Sequence, residues 1–458
     1  MPSNHIDTVY GSLPGGLKCA PLENLCEKDG VQTGPFGSQL HKEDYVSDGT
    51  PIITVEHLAD NRIAHSNLPR VSEADRERLA KYSLRTGDIV FSRVGSVDRR
   101  ALVQQYEDGW LFSGRCLRVR PKAGVLDSAW LSYFFGLPAF KTYIRGIAVG
   151  ATMPSINTKI LSEVPIYYPP IDIQVRSAEF LTALDNRINL LHQTNTTLES
   201  IAQALFKSWF IDFDPVRAKA EGREPEGMEA AKAALFPAEL EESALGLIPK
   251  GWQVEAIKNV VENVYDGPHA TPSEASVGPV FLGIKNLSGT SIDLTEVRHI
   301  SEDDWAQWTR RVTPQPGDIV FSYEAALGLF ALVPPGLRCC LGRRLALVRP
   351  KPEAGTPHFW FHQFVGAPFQ RLLEKHTVHG ATVNRIALKE FPSFTVMDPG
   401  ERIRTAFEVV AQPLWARIHA NRQQALHLGE VRDAILPRII SGKLRLPEVQ
   451  SQLEEAIA

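Results

Sequence analysis

The hexapeptide in LRTGDIVFSRVGS, residues 84–96, occurs a second time in PQPGDIVFSYEAA, residues 314–326. Gly317 follows Gly87 by 230 residues, and one match of this kind means little unless the same offset recurs elsewhere. It recurs. Gly150-Ala151-Thr152 has its copy in Gly380-Ala381-Thr382, and Ile156 in Ile386. Arg120-Pro121-Lys122 faces Arg349-Pro350-Lys351 after a one-residue slip, and Glu163 with Pro165 faces Glu390 with Pro392 after a three-residue slip. Surface loops absorb slips of this size. Leu198, Ile201 and Leu205 fall on Leu428, Val431 and Ile435 at the full offset. The chain therefore reads as two diverged copies of a unit of roughly 200 residues, too long for a solenoid repeat and suited to a globular domain with an appendage.

Each copy opens with short strand signals, PIITVEHL and GPVFLGIKNL, then GDIVFS, then CLRVRPK and RLALVRPK, bounded by Gly, Pro and Asn clusters. Each globule ends at a proline-marked strand, VPIYYPPID and FPSFTVMDPG, and then the hydrophobic period changes. Leu184, Ile188, Leu191, Asn195, Leu198, Ala202 and Leu205 alternate spacings of four and three, which is a heptad seam. Ile403, Phe407, Val410, Leu414, Ile418, Asn421, Ala425 and Leu428 form the second seam, with Pro413 expected to kink or divide that helix. Two single-seam helices in one chain pair most economically with each other, antiparallel. Asn195 and Asn421 lie on the seams, either buried to fix register or turned to water at the edge. The expected class is α+β: two pseudo-repeated strand-rich domains, each followed by a long helix, the helices forming an antiparallel coiled coil.

The boundaries are residues 1–173, first globule; 174–213, central helix; 214–246, acidic linker; 247–398, second globule; 399–446, distal helix; and 447–458, C-terminal tail. Phe206, Trp209 and Phe210 cluster where the first helix meets the linker, and they either dock a partner or cap the coiled-coil end.

The chain has 458 residues, 43% of them apolar, enough for real cores. No apolar run approaches the 18 or so residues of a membrane span, and no secretory leader pattern is present, so a cytoplasmic protein with no membrane partner is expected. Five cysteines without paired CxxC spacing indicate neither a disulfide framework nor a zinc site. The net charge of −4 hides an uneven distribution. Residues 81–122 hold nine basic and four acidic side chains, and residues 338–351 hold five basic and none acidic, whereas residues 212–242 hold nine acidic and four basic. Basic regions just after each GDIVFS suggest a polyanion as partner.

Catalytic signatures are missing. No GxxxxGK[ST] phosphate loop, HExxH or GxSxG occurs, and the nearest approaches to a methyltransferase [DNS]PP[YFW] clamp, Tyr168-Pro169-Pro170-Ile171 and Val333-Pro334-Pro335-Gly336, lack its polar and aromatic ends. No cofactor is expected on this chain, and it is not expected to be an enzyme.

TGPFGSQL, YVSDGTPIITVEHL, GDIVFSRVGS, GATMPSINTKILSEVPIYYPP, ESIAQALFKSWFIDFDP, DGPHATP, GPVFLGIKNL and VRDAILPRIISGKL, in this order from about residue 17 to 446, resemble the DNA-specificity subunit of type I restriction-modification systems. The resemblance departs at Arg99, where the family often has glycine, and at SYEAALG, which replaces that loop in the second copy. It implies a non-catalytic reader of double-stranded DNA with two target-recognition domains, each taking half of a split, asymmetric site. Its helices would space the domains and hold two methyltransferase subunits carrying S-adenosylmethionine, and motor-nuclease subunits could join. The alternative is a coiled-coil scaffold of a DNA-modification complex that reads no sequence itself. For DNA contact, charge and loop position select Ser38, Gln39, Arg93, Arg99, Arg100, Arg115 and Lys159 in the first copy. In the second they select His269, Thr271, Lys285, Asn286, Tyr323, Arg343, Arg344, Asn384 and Arg385. Arg and Asn can bond bidentately to guanine and adenine.

Overall fold

The computed structural model describes residues 5–35, 39–243, 246–351, 355–380 and 383–442. It divides into two units, residues 1–188 with 427–458, and residues 189–426. Each unit holds one strand-rich globule with a stretch of both long helices. The C-terminal tail assigned to 447–458 lies outside the described residues.

In the first unit, β1 (Cys26–Thr33), β2 (Ile89–Ser92), β3 (Arg100–Leu102) and β4 (Cys116–Pro121) form an antiparallel sheet in the order β1-β4-β2-β3. Gly87, at φ +89°, makes the turn into β2, a conformation that costs glycine little. Alternate residues of β2 then enter different cores. Ile89 and Phe91 pack with Trp130, Phe135 and Phe140, while Val90 packs with Ile52, Leu58 and Phe112 on the other face. Burial on both faces is why the strand reads as an unbroken apolar run. The preceding Asp88 is buried and holds Arg120 of β4 by two bonds, Nε to Oδ1 at 2.7 Å and Nη2 to Oδ2 at 2.6 Å. Helix α1 (Ser128–Gly136) is capped by Asp127, which accepts from Trp130 N at 2.8 Å, and it lays Trp130, Phe134 and Phe135 into the core. The first long helix is α2 (Ile171–Phe210).

The second unit repeats this plan. Its β5 (Val261–Asp266), β6 (Ile319–Ser322), β7 (Phe330–Leu332) and β8 (Leu345–Pro350) are ordered β5-β8-β6-β7, all antiparallel. Ile319 and Phe321 join Phe359, Phe364 and Phe391, while Val320 joins Leu341 and Leu347. Asp318 holds Arg349 at 2.8 and 2.7 Å as Asp88 holds Arg120. Helix α3 (Pro357–Val365) fills the place of α1, and α4 (Glu401–Ile440) is the second long helix.

Within the second unit α2 and α4 run antiparallel: Asn195 pairs with Asn421 and, closer to the end of α2, Phe206 packs on Phe407 at 5.5 Å between ring centroids. Both asparagines are buried, which decides for the register-fixing alternative. Within the first unit Arg432 of α4 bonds Asp185 of α2 at 2.8 Å, and Leu436 and Ile439 share a core with Ala178 and Leu181. Of the two expectations for Pro413, division does not occur: α4 runs as one helix from Glu401 to Ile440. Pro413 and Val409, whose carbonyl loses its bond to the missing N–H, are both exposed, so that carbonyl is on the solvent side. No helix among the described residues is long and apolar enough to cross a membrane.

The acidic connector carries short helices and is anchored to the second unit. It holds helices Asp214–Ala220 and Ala230–Ala233 and a hairpin, Leu240–Ser243 with Gly246–Pro249, and Val216 and Phe236 enter the core of the second unit. Trp209 packs edge-on against Phe236 at 5.6 Å, so Phe206, Trp209 and Phe210 are core side chains of that unit. The capping alternative holds for them, and as a docking surface they are corrected.

Candidate nucleic-acid interface

The strand that carries the repeated hexapeptide ends at a loop held in the same way in each unit. Ser92 Oγ accepts from Arg99 N at 3.1 Å, and Ser322 Oγ from Leu329 N at 3.2 Å. The next segment closes on it through main-chain bonds, Ile156 N to Arg93 O at 2.9 Å and Ile386 N to Tyr323 O at 2.8 Å. Gly95 N donates to Pro154 O at 2.8 Å, and Ala325 N to Asn384 O at 3.1 Å. A third segment is tied in by Arg93 N to Arg115 O at 3.0 Å and Tyr323 N to Arg344 O at 3.2 Å. The fourth joins by Gly34 N to Cys116 O at 3.3 Å and Gly267 N to Leu345 O at 3.0 Å. Four segments thus converge at one end of each sheet on one main-chain frame. The change from RVGS to YEAA alters the side chains and leaves the loop path intact, Arg99 included.

In the first unit this frame gathers Arg93, Arg99 and Arg115. Arg115 is exposed and Arg99 half-buried, and Arg93 Nη1 donates to Gly114 O at 3.1 Å and reaches Thr33 Oγ1 at 3.4 Å. Lys159 is exposed on the short helix Thr158–Ser162, 4.0 Å from Glu163. Gln39 sits apart: its side chain accepts from Tyr82 OH and its carbonyl from Arg78, both at 2.7 Å. Ser38 lies outside the described residues. Arg100 is a correction. It is 4% exposed and bonds Ser132 O at 2.9 Å and Asp60 at 2.8 Å, so its guanidinium is spent inside the unit.

In the second unit the frame gathers His269, Thr271, Arg343, Arg344, Asn384 and Arg385. Thr271, Arg343 and Arg344 line a shallow cleft of about 200 Å³ with Phe281, Gly283 and Gly342. A side chain at Gly342 would put its Cβ 2.5 Å from Leu282 O, which fixes glycine there. Arg344 bonds Glu324 at 3.2 Å, while Arg343 is exposed and makes no ion pair among the described residues. Asn384 and Arg385 are exposed on the segment that pairs with the loop. Lys285 is exposed, 3.7 Å from Glu296. Two candidates are corrected on burial. Asn286, 2% exposed, accepts from Gly283 N at 3.0 Å and donates to Asp293 O and Glu296 O. Tyr323, 7% exposed, donates its hydroxyl to Asp266 at 2.9 Å, and burial pushes its pKa further up.

The basic counts of the two regions overstate the surface charge. Arg118 bonds Asp29 O at 2.8 Å from a buried position, Arg120 and Arg349 are the sheet ion pairs, and Arg338 pairs with Glu302 at 2.6 Å. What remains at the frame is a smaller cationic group set among backbone and amide donors. Such a set suits phosphate positioning with base-edge contact. Sequence reading missed Asp266 and Arg311, which meet at 3.3 Å beside Tyr323; the signal was that Asp266 precedes GPHATP as Thr33 precedes GPFGSQ.

Residues 18–200 match the type I restriction modification DNA specificity domain. The HindI specificity subunit of Haemophilus influenzae is 22% identical over 435 residues, covering 86% of this chain and 94% of that protein. The MjaIX specificity subunit of Methanocaldococcus jannaschii is 25% identical over 333 residues, 72% of each chain. The crystal structure of the type I restriction-modification S subunit of M. genitalium has the same fold, with a TM-score of 0.56 at 13% identity, covering 93% of this chain and 96% of that one.

Proposed function

We infer, from the chain's membership of the type I restriction-modification specificity subunits, that its two units read the two halves of one split, asymmetric site in double-stranded DNA. It is the non-catalytic member of its complex. The observation that carries the two-reader statement is the convergence of the same four segments, on the same sheet, with different side chains at the tips: one scaffold built twice and lettered differently. Exposed Arg115 and Arg343 give the sequence-independent attraction to phosphate, and the neighbouring side chains give base discrimination.

In this reading the paired helices hold two methyltransferase subunits in the cytoplasm. Those subunits, and not this chain, bind S-adenosylmethionine, and motor-nuclease subunits join the same assembly. The methyl transfer is the partners' chemistry. This chain's residues bind and orient the duplex so that one site is presented and others are not.

Exchange of residues 20–170 for the same region of a relative tests the reading. In the assembled methyltransferase, sequencing of methylated DNA should show one half-site replaced and the other kept. A change in both halves overturns the two-reader assignment. If neither half changes and binding to random and target DNA stays equal across a salt series, the chain is a scaffold.

A further inference from the structure

The second unit carries a carboxylate where the first has a hydroxyl. Asp266 ends β5 and meets Tyr323, and through the shared main-chain frame these two positions correspond to Thr33 and Arg93. The first unit therefore presents a guanidinium beside a hydroxyl, and the second a carboxylate beside a phenol, at one place on one scaffold.

The Asp266 carboxylate is held rigidly and left incomplete. Tyr323 OH donates to Oδ1 at 2.9 Å, and His269 Nε2 and Arg311 Nη1 lie 2.7 and 3.3 Å from Oδ2. A carboxylate offers about four lone-pair directions, so three neighbours leave one open, on Oδ1. The side chain is 28% exposed, and it stands on the frame with the exposed Arg343 and Arg385. Those cations offset the repulsion that a lone carboxylate would meet from DNA phosphates. An oxygen that can only accept matches donors alone. On base edges the donors are exocyclic amino groups, whereas guanine O6 and N7 and thymine O4 are acceptors that would face Asp266 with like polarity.

The geometry points to Asp266 as a specificity-determining residue that accepts a hydrogen bond from the exocyclic amino group of a base in the half-site read by the second unit. This rests on the reading above, that this unit contacts DNA. His269 and Arg311 are positioning residues in this arrangement, and Tyr323 orients the open oxygen without touching DNA.

The test uses the chain assembled with its methyltransferase partners, on a duplex whose half-sites have been fixed by methylome sequencing. Within the second half-site each amino group is deleted in turn: purine for adenine, a 2-pyrimidinone nucleoside for cytosine, inosine for guanine. The wild-type complex should lose about tenfold in affinity at one such position. Asp266→Ala should bind the unmodified duplex more weakly and lose nothing further at that position. Tyr323→Phe, which keeps the carboxylate, should retain the loss and so separates a missing acceptor from a collapsed loop. Wild-type binding that tolerates every amino deletion overturns the assignment, as does a loss of equal size in wild type and Asp266→Ala. In both cases half-site selectivity survives and the two-reader assignment stands. Loss of all half-site selectivity in the wild type would instead remove the underlying reading.

Discussion

Asn421 Nδ2 donates to Asn195 Oδ1 at 2.9 Å, and Asn195 Nδ2 in turn reaches Ile418 O at 3.3 Å, inside an otherwise apolar helix seam. A seam of leucines tolerates sliding, whereas two amides that satisfy each other tolerate one register. Replacing Asn195 alone by Leu leaves the Asn421 amide buried without its partner, and the second unit should lose about 1–3 kcal/mol. The double change to Leu should recover most of that loss in denaturant unfolding. A double variant as unstable as the single ones would show that the amides do not act as a pair.

Arg343 should behave as a phosphate contact. It is exposed, unpaired among the described residues and set at the mouth of the cleft. Arg343→Gln should weaken binding about equally on all sequences, reduce the slope of log affinity against log salt by about 1, and leave the methylated sequence unchanged. A changed methylation site would make it a base reader.

Burial holds the imidazole of His362 down to about 3, with His358 adding to the effect, and burial likewise holds His419 down to about 4. His362 Nε2 accepts from Trp415 Nε1 at 3.1 Å, an arrangement open only to the neutral ring. Both groups take up protons near 6.5 once unfolded. Their contribution is therefore complete above that pH and is lost as pH falls toward 4 and 3. Stability of the second unit should drop by roughly 1.4 kcal/mol per pH unit for each histidine below pH 6 or so. His362→Gln, which keeps an acceptor for Trp415, should lower that slope in urea unfolding series at pH 7 to 4. An unchanged slope would place the acid sensitivity elsewhere.

Ala325 stands at φ +69° where the first unit has Gly95 at φ +81°. A left-handed alanine costs about 1–2 kcal/mol, and a glycine gives back about 0.4–1 kcal/mol through the freer unfolded chain. Ala325→Gly should thus stabilise by about 0.5–1 kcal/mol. Gly95→Ala should destabilise by as much through φ alone, since a Cβ there meets nothing within 4 Å. Thermal melts of the two variants should move in opposite directions.

The repeat and the helices were legible because each is a pattern along the chain, whereas for Asn195 and Asn421 the pattern gave their place on the seams and left open whether they were buried. What was not legible depends on partners distant in sequence. Arg120 and Arg349 counted as nucleic-acid charge until Asp88 and Asp318, 32 and 31 residues earlier, proved to hold them. Arg100 was lost to Asp60 in the same way. The acidic connector hid its folding because few of its residues turn inward, Val216 and Phe236 among them, and composition averages those away. The hairpin ahead of each globule, His5–Thr8 with Gly11–Pro14 and Leu240–Ser243 with Gly246–Pro249, also escaped notice. Thr8 Oγ1 to Gly11 O and Ser243 Oγ to Gly246 O, both 2.7 Å, are one bond in two copies, but the shared letters, Gly11, Pro14 and Gly16 against Gly246, Pro249 and Gly251, are too sparse to stand out in the sequence.

The tip segments of each unit are tied to one another largely by peptide groups. Arg93 and Tyr323 give the same N–H and C=O to the same partners although their side chains share nothing. Selection can therefore rewrite the tips residue by residue without refolding the molecule beneath them. In the proposed reading, a change of base preference then asks for new side chains at the tips and not for a new backbone, because the main-chain bonds that hold the tips do not depend on those side chains.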